Sequence, residues 1–214
     1  MLCATPSGAS RQGRPEAVGE FWSLDLPDGG RLTGTRFGDA AHVVLLLHGM
    51  RYEQTSWHPF AARLVAAGCG ALTLDFRGYG ASSPRPEPTR DAADVAQAVE
   101  RLWTEGANEV SLLGGSMGGA AALQAAALQG ARVDRIAVLS PAVDAESVAL
   151  VMSPVPLLVL ASEGEPLAQE SIALKRLRPE TTELHLYPGD AHAQRLLAGP
   201  HQSDVEERLL RFLR

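Results

Sequence analysis

The sequence predicts an α/β protein, a mostly parallel sheet with helices on both faces, and three observations carry that prediction. Short aliphatic runs alternate with helical patterns after an opening hairpin, the order that crossover-connected strands require. The run at residues 42–47 is unbroken aliphatic from Val43 on, as a strand buried on both faces must be. The run ending at Leu113 passes through Gly114-Gly115-Ser116-Met117-Gly118 directly into an alanine-rich helical pattern.

Each element has its own signal. Residues 21–26 and 31–37 read as two short strands joined by the turn Pro27-Asp28-Gly29-Gly30, hence a hairpin. The aliphatic strand 42–47 ends in His48-Gly49, a helix follows over 56–67 up to Gly68, and 70–76 is a second buried strand. Over 91–105, Val95, Val99 and Leu102 share one helical face, and Asp91 and Asp94 favour the N-terminal turn. Strand 110–113 precedes Ser116 and helix 117–129 follows it. Strands at 135–139 and 156–161, a helix at 169–178, a strand at 183–187 and an amphipathic helix at 203–214 complete the chain. About fourteen residues separate Ala142 from Pro156, and the proline-rich 83–88 reads as a rigid surface loop.

Composition narrows the function. At 214 residues one domain with a substantial core is expected, spanning 20–214, behind a Ser, Gly, Pro and Ala-rich arm at 1–19. The net charge of −6 argues against a nucleic-acid partner. No apolar run is long enough to span a bilayer. The arm lacks the pattern of a signal peptide, and the two cysteines, Cys3 and Cys69, do not make a disulfide framework. A cytoplasmic protein is therefore expected.

The Gly-x-Ser-x-Gly stretch has the layout of a nucleophile elbow, a sharp strand-to-helix turn presenting Ser116 at a helix N-terminus. A Cβ at the flanking glycines would clash, and the helix dipole there favours developing negative charge. A serine hydroxyl also needs a base, a group to orient that base, and donors for an oxyanion. In a parallel sheet these come from loops at the carboxyl ends of strands. His192, in the turn-rich loop after the last strand, is the candidate base, with His48 as its competitor. Glu165, just past strand 156–161, is the candidate orienting acid, with Glu163 the near rival and Asp144 the distant one. Asp190 sits too close in sequence to His192 to reach its ring easily. The N–H groups of Met117 and Met50 are the candidate oxyanion donors, and Arg51 and Trp57 are candidates for lining the substrate pocket.

With these segments in place the chain resembles an α/β-hydrolase. The segments that carry the likeness are Leu45-Leu46-Leu47-His48-Gly49-Met50, Asp75-Phe76-Arg77-Gly78-Tyr79-Gly80-Ala81-Ser82, Gly114-Gly115-Ser116-Met117-Gly118-Gly119, residues 157–165 and Pro188-Gly189-Asp190-Ala191-His192. The resemblance implies an eight-stranded sheet whose second strand is antiparallel, and a triad falling on Ser116, Glu165 and His192. Asp75 and Arg77 would brace the loop beside the site. Two departures stand out. Glutamate occupies the position where the family more often has aspartate, so its loop must sit further from His192. The cap that larger relatives insert between the sixth and seventh strands is reduced to a loop. Serine at 116 separates the chain from cysteine-dependent dienelactone hydrolases and aspartate-dependent haloalkane dehalogenases.

The expected function is a serine esterase that hydrolyses small or medium carboxylic esters through an acyl-enzyme, needing no cofactor or metal. Thioester or amide hydrolysis and acyl transfer share the same acyl-enzyme step. A catalytically idle hydrolase-fold protein that binds a partner or ligand is the reading of another class.

Overall fold

The computed structural model describes residues 19–128, 132–149 and 154–214. The expected arm at 1–19, with Cys3, falls outside this set except for Gly19, as does Gln129 at the end of the expected helix 117–129.

Eight strands form one sheet: β1 (Glu20–Asp25), β2 (Arg31–Phe37), β3 (His42–Leu47), β4 (Gly70–Asp75), β5 (Glu109–Gly115), β6 (Arg135–Leu139), β7 (Leu157–Ser162) and β8 (Thr182–Tyr187). Their order is β1-β2-β4-β3-β5-β6-β7-β8. β2 is antiparallel to both neighbours, and every pairing from β4 to β8 is parallel. This is the sheet of an α/β-hydrolase, with the second strand reversed as expected.

Six helices cover the sheet: α1 (His58–Ala66), α2 (Asp91–Thr104), α3 (Met117–Ala127), α4 (Ala145–Ala149), α5 (Ala168–Leu177) and α6 (Gln202–Phe212). Alternation along β3 shows why an unbroken aliphatic run was needed. Val43, Leu45 and Leu47 join the core under α2 and α3, whereas Val44 and Leu46 join the core under α1 and α6. All five are fully buried, and full burial of each such side chain contributes about 1.5–3 kcal/mol.

Two short elements went unforeseen. α4 lies between β6 and β7, where a loop was expected, and a 3-10 turn at Ala193–Ala198 follows the β8 loop. A further 3-10 turn, Gln54–Trp57, replaces the expected start of α1. That turn corrects the reading of Trp57 as a pocket residue. Its side chain is 0% exposed and packs edge-on to Phe60 within the α1/α6 core. An indole turned inward buries more apolar surface than it could against a solvated pocket.

The carboxyl ends of the parallel strands share one edge. Leu47 pairs with Gly114, Gly115 with Leu139, Leu139 with Leu160, and Ser162 with Tyr187. Loops leaving that edge carry every candidate site residue. Arg77 braces it from the side, with Nη1 donating to Asp28 and Nε to Asp94 at 2.9 and 2.8 Å, joining the β1–β2 turn to α2. Asp75 accepts from the Gln54 N–H, fixing the 3-10 turn before α1.

Candidate active site

Ser116 sits between β5 and α3 with φ 52° and ψ −114°, a left-handed backbone that L residues adopt only under constraint. The constraints are visible. Its N–H donates to the Leu139 carbonyl at 2.9 Å, and its own carbonyl accepts from the N–H groups of Ala120 and Ala142. A Cβ at Gly114 would overlap the Gly118 backbone, and one at Gly118 would overlap the Leu47 carbonyl. The two glycines therefore let α3 start against β3 and β5, which throws the Ser116 side chain outward.

His192 arrives on the loop after β8. Its Nε2 lies 2.9 Å from Ser116 Oγ, and its Nδ1 lies 2.7 Å from Glu165 Oε2. A carboxylate accepts only, so Nδ1 carries the proton, Nε2 is bare, and the Ser116 hydroxyl donates to it. The imidazole is 29% exposed, whereas the Glu165 side chain is wholly buried. Glu165 stands three residues beyond β7, and its Oε2 also accepts from the Leu167 N–H at 3.3 Å. Oε1 is buried and has no hydrogen-bond partner among the described residues.

The rivals lie elsewhere. Asp144 accepts from the Glu146 N–H and the Ser147 hydroxyl at the start of α4, bonds that hold its carboxyl below the usual range. Glu163 is exposed. His48 is fully buried, its Nδ1 bonded to the Gly49 carbonyl and its Nε2 accepting from the Phe76 N–H. Burial pushes its pKa down, which suits a neutral ring joining β3 to the β4 loop rather than a proton acceptor.

Met50 follows His48-Gly49 and Met117 is the first residue of α3, where a backbone N–H has no acceptor within its own helix. Gln194, which no motif or spacing singles out, links this loop to that of His192. Its Oε1 accepts from the Gly49 N–H at 2.8 Å, and its Nε2 donates to Ser56 Oγ at 2.6 Å. Ser140 and Ala193 were equally unforeseen. Both have positive φ, at 47° and 52°, and the Ala193 N–H donates to Ser140 Oγ at 3.1 Å. Three strained non-glycine residues thus gather at the edge that carries His192, as functional loops often require.

Gly49, Met50, Arg51, Tyr52, Ser116, Pro166, Leu167, His192 and Arg195 are among the residues lining a cavity of about 550 Å³, the size of a small-molecule site. Met50 and Met117 also border a depression of about 520 Å³ against α3, walled by Ala120 and Ala121.

A second serine–histidine contact lies at the opposite edge. His42 Nε2 is 3.0 Å from Ser111 Oγ, with Cys69 Sγ 3.9 Å from His42 Nδ1. Ser111 is fully buried within β5.

The fold is that of the α/β-hydrolase class. Residues 44–212 match the model of the alpha/beta hydrolase family, and the chain belongs to that family. It is 33% identical over 141 residues to the dihydrolipoyllysine-residue acetyltransferase component of an acetoin cleaving system from Cupriavidus necator, covering 65% of this chain and 37% of that one. It is 35% identical over 95 residues to protein phosphatase methylesterase 1 of Mus musculus, covering 42% of this chain and 25% of that one. The chain thus spans well under half the length of these relatives. Among solved structures, an esterase of Pyrococcus furiosus superposes with a TM-score of 0.73 over 98% of both chains at 16% identity, a likeness of fold. Among the described residues no helix is long and apolar enough to cross a membrane.

Proposed function

We propose that the protein is a serine hydrolase acting on small or medium carboxylic esters through an acyl-enzyme. The observation that carries this reading is the continuous relay Ser116 Oγ–His192–Glu165, with hydrogen bonds of 2.9 and 2.7 Å. Ser116 attacks the ester carbonyl as His192 Nε2 takes its proton. The N–H groups of Met50 and Met117 receive the oxyanion, and each such donor contributes on the order of 3 kcal/mol in the transition state. His192 then returns the proton to the leaving alkoxide. Water, deprotonated by the same Nε2, releases the acid and regenerates Ser116. Glu165 keeps the imidazole in the tautomer that accepts at Nε2 and stabilises the imidazolium. The alanine-walled depression beside Met117 suits an aliphatic chain. The relative named a methylesterase supports ester chemistry.

Ser116→Ala is expected to lower kcat/KM on p-nitrophenyl esters by at least about 10³-fold, and a fluorophosphonate probe is expected to label Ser116 alone. Unchanged turnover by the variant would end the proposal.

The likeness to an acetyltransferase component favours one second reading, acyl transfer or thioester cleavage from the same acyl-enzyme. A panel of matched ester, thioester and anilide substrates separates the two by relative kcat/KM.

A further inference from the structure

Acidic residues outnumber basic ones by 25 to 19 in this chain, and its arginines are mostly engaged with carboxylates. Arg77 pairs with Asp28 and Asp94, Arg85 with Asp91, and Arg208 with Asp204. Arg51 and Arg195 depart from this pattern. Among the described residues neither makes an ion pair or a side-chain hydrogen bond, and both are exposed. They come from separate loops, Arg51 from the one after β3 and Arg195 from the 3-10 turn after β8. Both line the cavity that contains Ser116 and His192. Among the described residues no carboxylate lines that cavity. Glu165 lies buried behind His192, and Glu53, which borders the adjoining surface with Arg51, makes no ion pair with it.

Two guanidinium groups without ion-pair partners, on the mouth of a cavity that no acid among the described residues lines, create a local positive potential within a protein whose net charge is −6. Apolar neighbours such as Pro166, Leu167 and Met50 sharpen that field, because low-dielectric walls focus it. Guanidinium also offers the forked donors that match a carboxylate. We infer that Arg51 and Arg195 form an anion-recognition subsite, so that the substrate is an ester bearing a carboxylate at a distance from its scissile carbonyl. This rests on the serine hydrolase reading and adds the substrate class to it.

The test is a selectivity ratio, kcat/KM for an anionic ester over that for its neutral counterpart, measured in two arms. One arm places the carboxylate on the acyl side, p-nitrophenyl hydrogen adipate against p-nitrophenyl hexanoate. The other places it on the alcohol side, 3-(carboxymethyl)phenyl hexanoate against 3-ethylphenyl hexanoate. At low salt the ratio is expected to reach at least about tenfold in one arm, the worth of a charge-assisted hydrogen bond. It should fall as ionic strength rises from about 0.01 to about 1 M, which shortens the screening length from roughly 30 to 3 Å. Arg51→Gln combined with Arg195→Gln should lower it about tenfold, the two lysine replacements should recover part of the loss, and Arg176→Gln on α5 should leave it alone. A ratio near one in both arms, or one indifferent to the glutamine changes, overturns the subsite. If Ser116→Ala still abolishes hexanoate turnover in that case, the serine hydrolase reading stands and only the subsite falls. If it does not, both fall.

Discussion

Replacing Glu165 by glutamine isolates the orienting role with almost no change of shape. When His192 takes the serine proton it becomes an imidazolium beside this carboxylate. With Nδ1 and Oε2 2.7 Å apart, the two charge centres lie roughly 4 Å apart, and at an effective dielectric of about 20 they attract by ~4 kcal/mol. Losing that attraction in the transition state costs about 10³ in rate. A glutamine amide can also donate to Nδ1, which moves the ring proton to Nε2 and blocks acceptance from Ser116. The combined expectation for Glu165→Gln is a fall in kcat of about 10³–10⁴. The fold should hold, because neutralising a buried carboxylate removes a desolvation cost that offsets the amide N–H left without an acceptor. The assay is steady-state hydrolysis of a p-nitrophenyl ester beside a thermal melt, with Asp144→Asn and Glu163→Gln measured in parallel. Glu165→Gln should lose its activity with an undiminished Tm, while the other two retain kcat. Collapse of kcat in Asp144→Asn or Glu163→Gln, with Glu165→Gln active, would refute the assignment.

Two further outcomes follow from contacts around the site. Gln194→Ala leaves the buried Gly49 N–H without its acceptor, so a stability loss of about 1–3 kcal/mol is expected by urea titration. In the same variant kcat should fall, by less than the roughly 10² that loss of a whole oxyanion donor costs, with KM little changed. Asp28 is held down to about 2, chiefly by the Arg77 guanidinium, from an ordinary 3.8. A depressed folded pKa gives stability that is present above 3.8 and lost as pH falls through about 2. The Tm deficit of Asp28→Asn should therefore be seen at neutral pH and disappear near pH 2, and a deficit that persists in acid would show that charge is not its source.

Much of the architecture was legible because its signals are local. The aliphatic run of β3, the hairpin turn at Pro27-Asp28-Gly29-Gly30 and the glycines around Ser116 each bind the backbone to one conformation over a few residues. Strand-end logic then led to Glu165 and His192, since loops on one edge of a parallel sheet must converge. What escaped was set by partners far away in sequence. Gln194 has no local signature, and its role exists only because Gly49, 145 residues earlier, lies across the site from it. Trp57 follows the His48-Gly49 loop closely enough in sequence to be a pocket candidate, but its 3-10 turn places the indole in the core. His48 looked like a rival base at a strand end, and only its bond from the Phe76 N–H shows Nε2 already occupied.

The two serine–histidine contacts of this sheet show why proximity alone does not define a nucleophile. Ser111 and His42 are as close as Ser116 and His192, at 3.0 against 2.9 Å. Ser111 lies within a strand, so its N–H and C=O belong to the β ladder, and its side chain, on the same face as Leu113 under α1 and α6, is 0% exposed. His42 opens β3, and burial pushes its pKa down. An ester could not reach Ser111 Oγ without displacing the packing over that face. Ser116 stands one residue past the end of the same strand, where the ladder has stopped and α3 begins. There the chain turns sharply, the hydroxyl faces a cavity of about 550 Å³, and helix-start N–H groups lie beside it. Five residues along β5 separate a structural hydrogen bond from a candidate reaction centre, and the carboxyl edge of the sheet supplies the cavity and the N–H donors that Ser111 lacks.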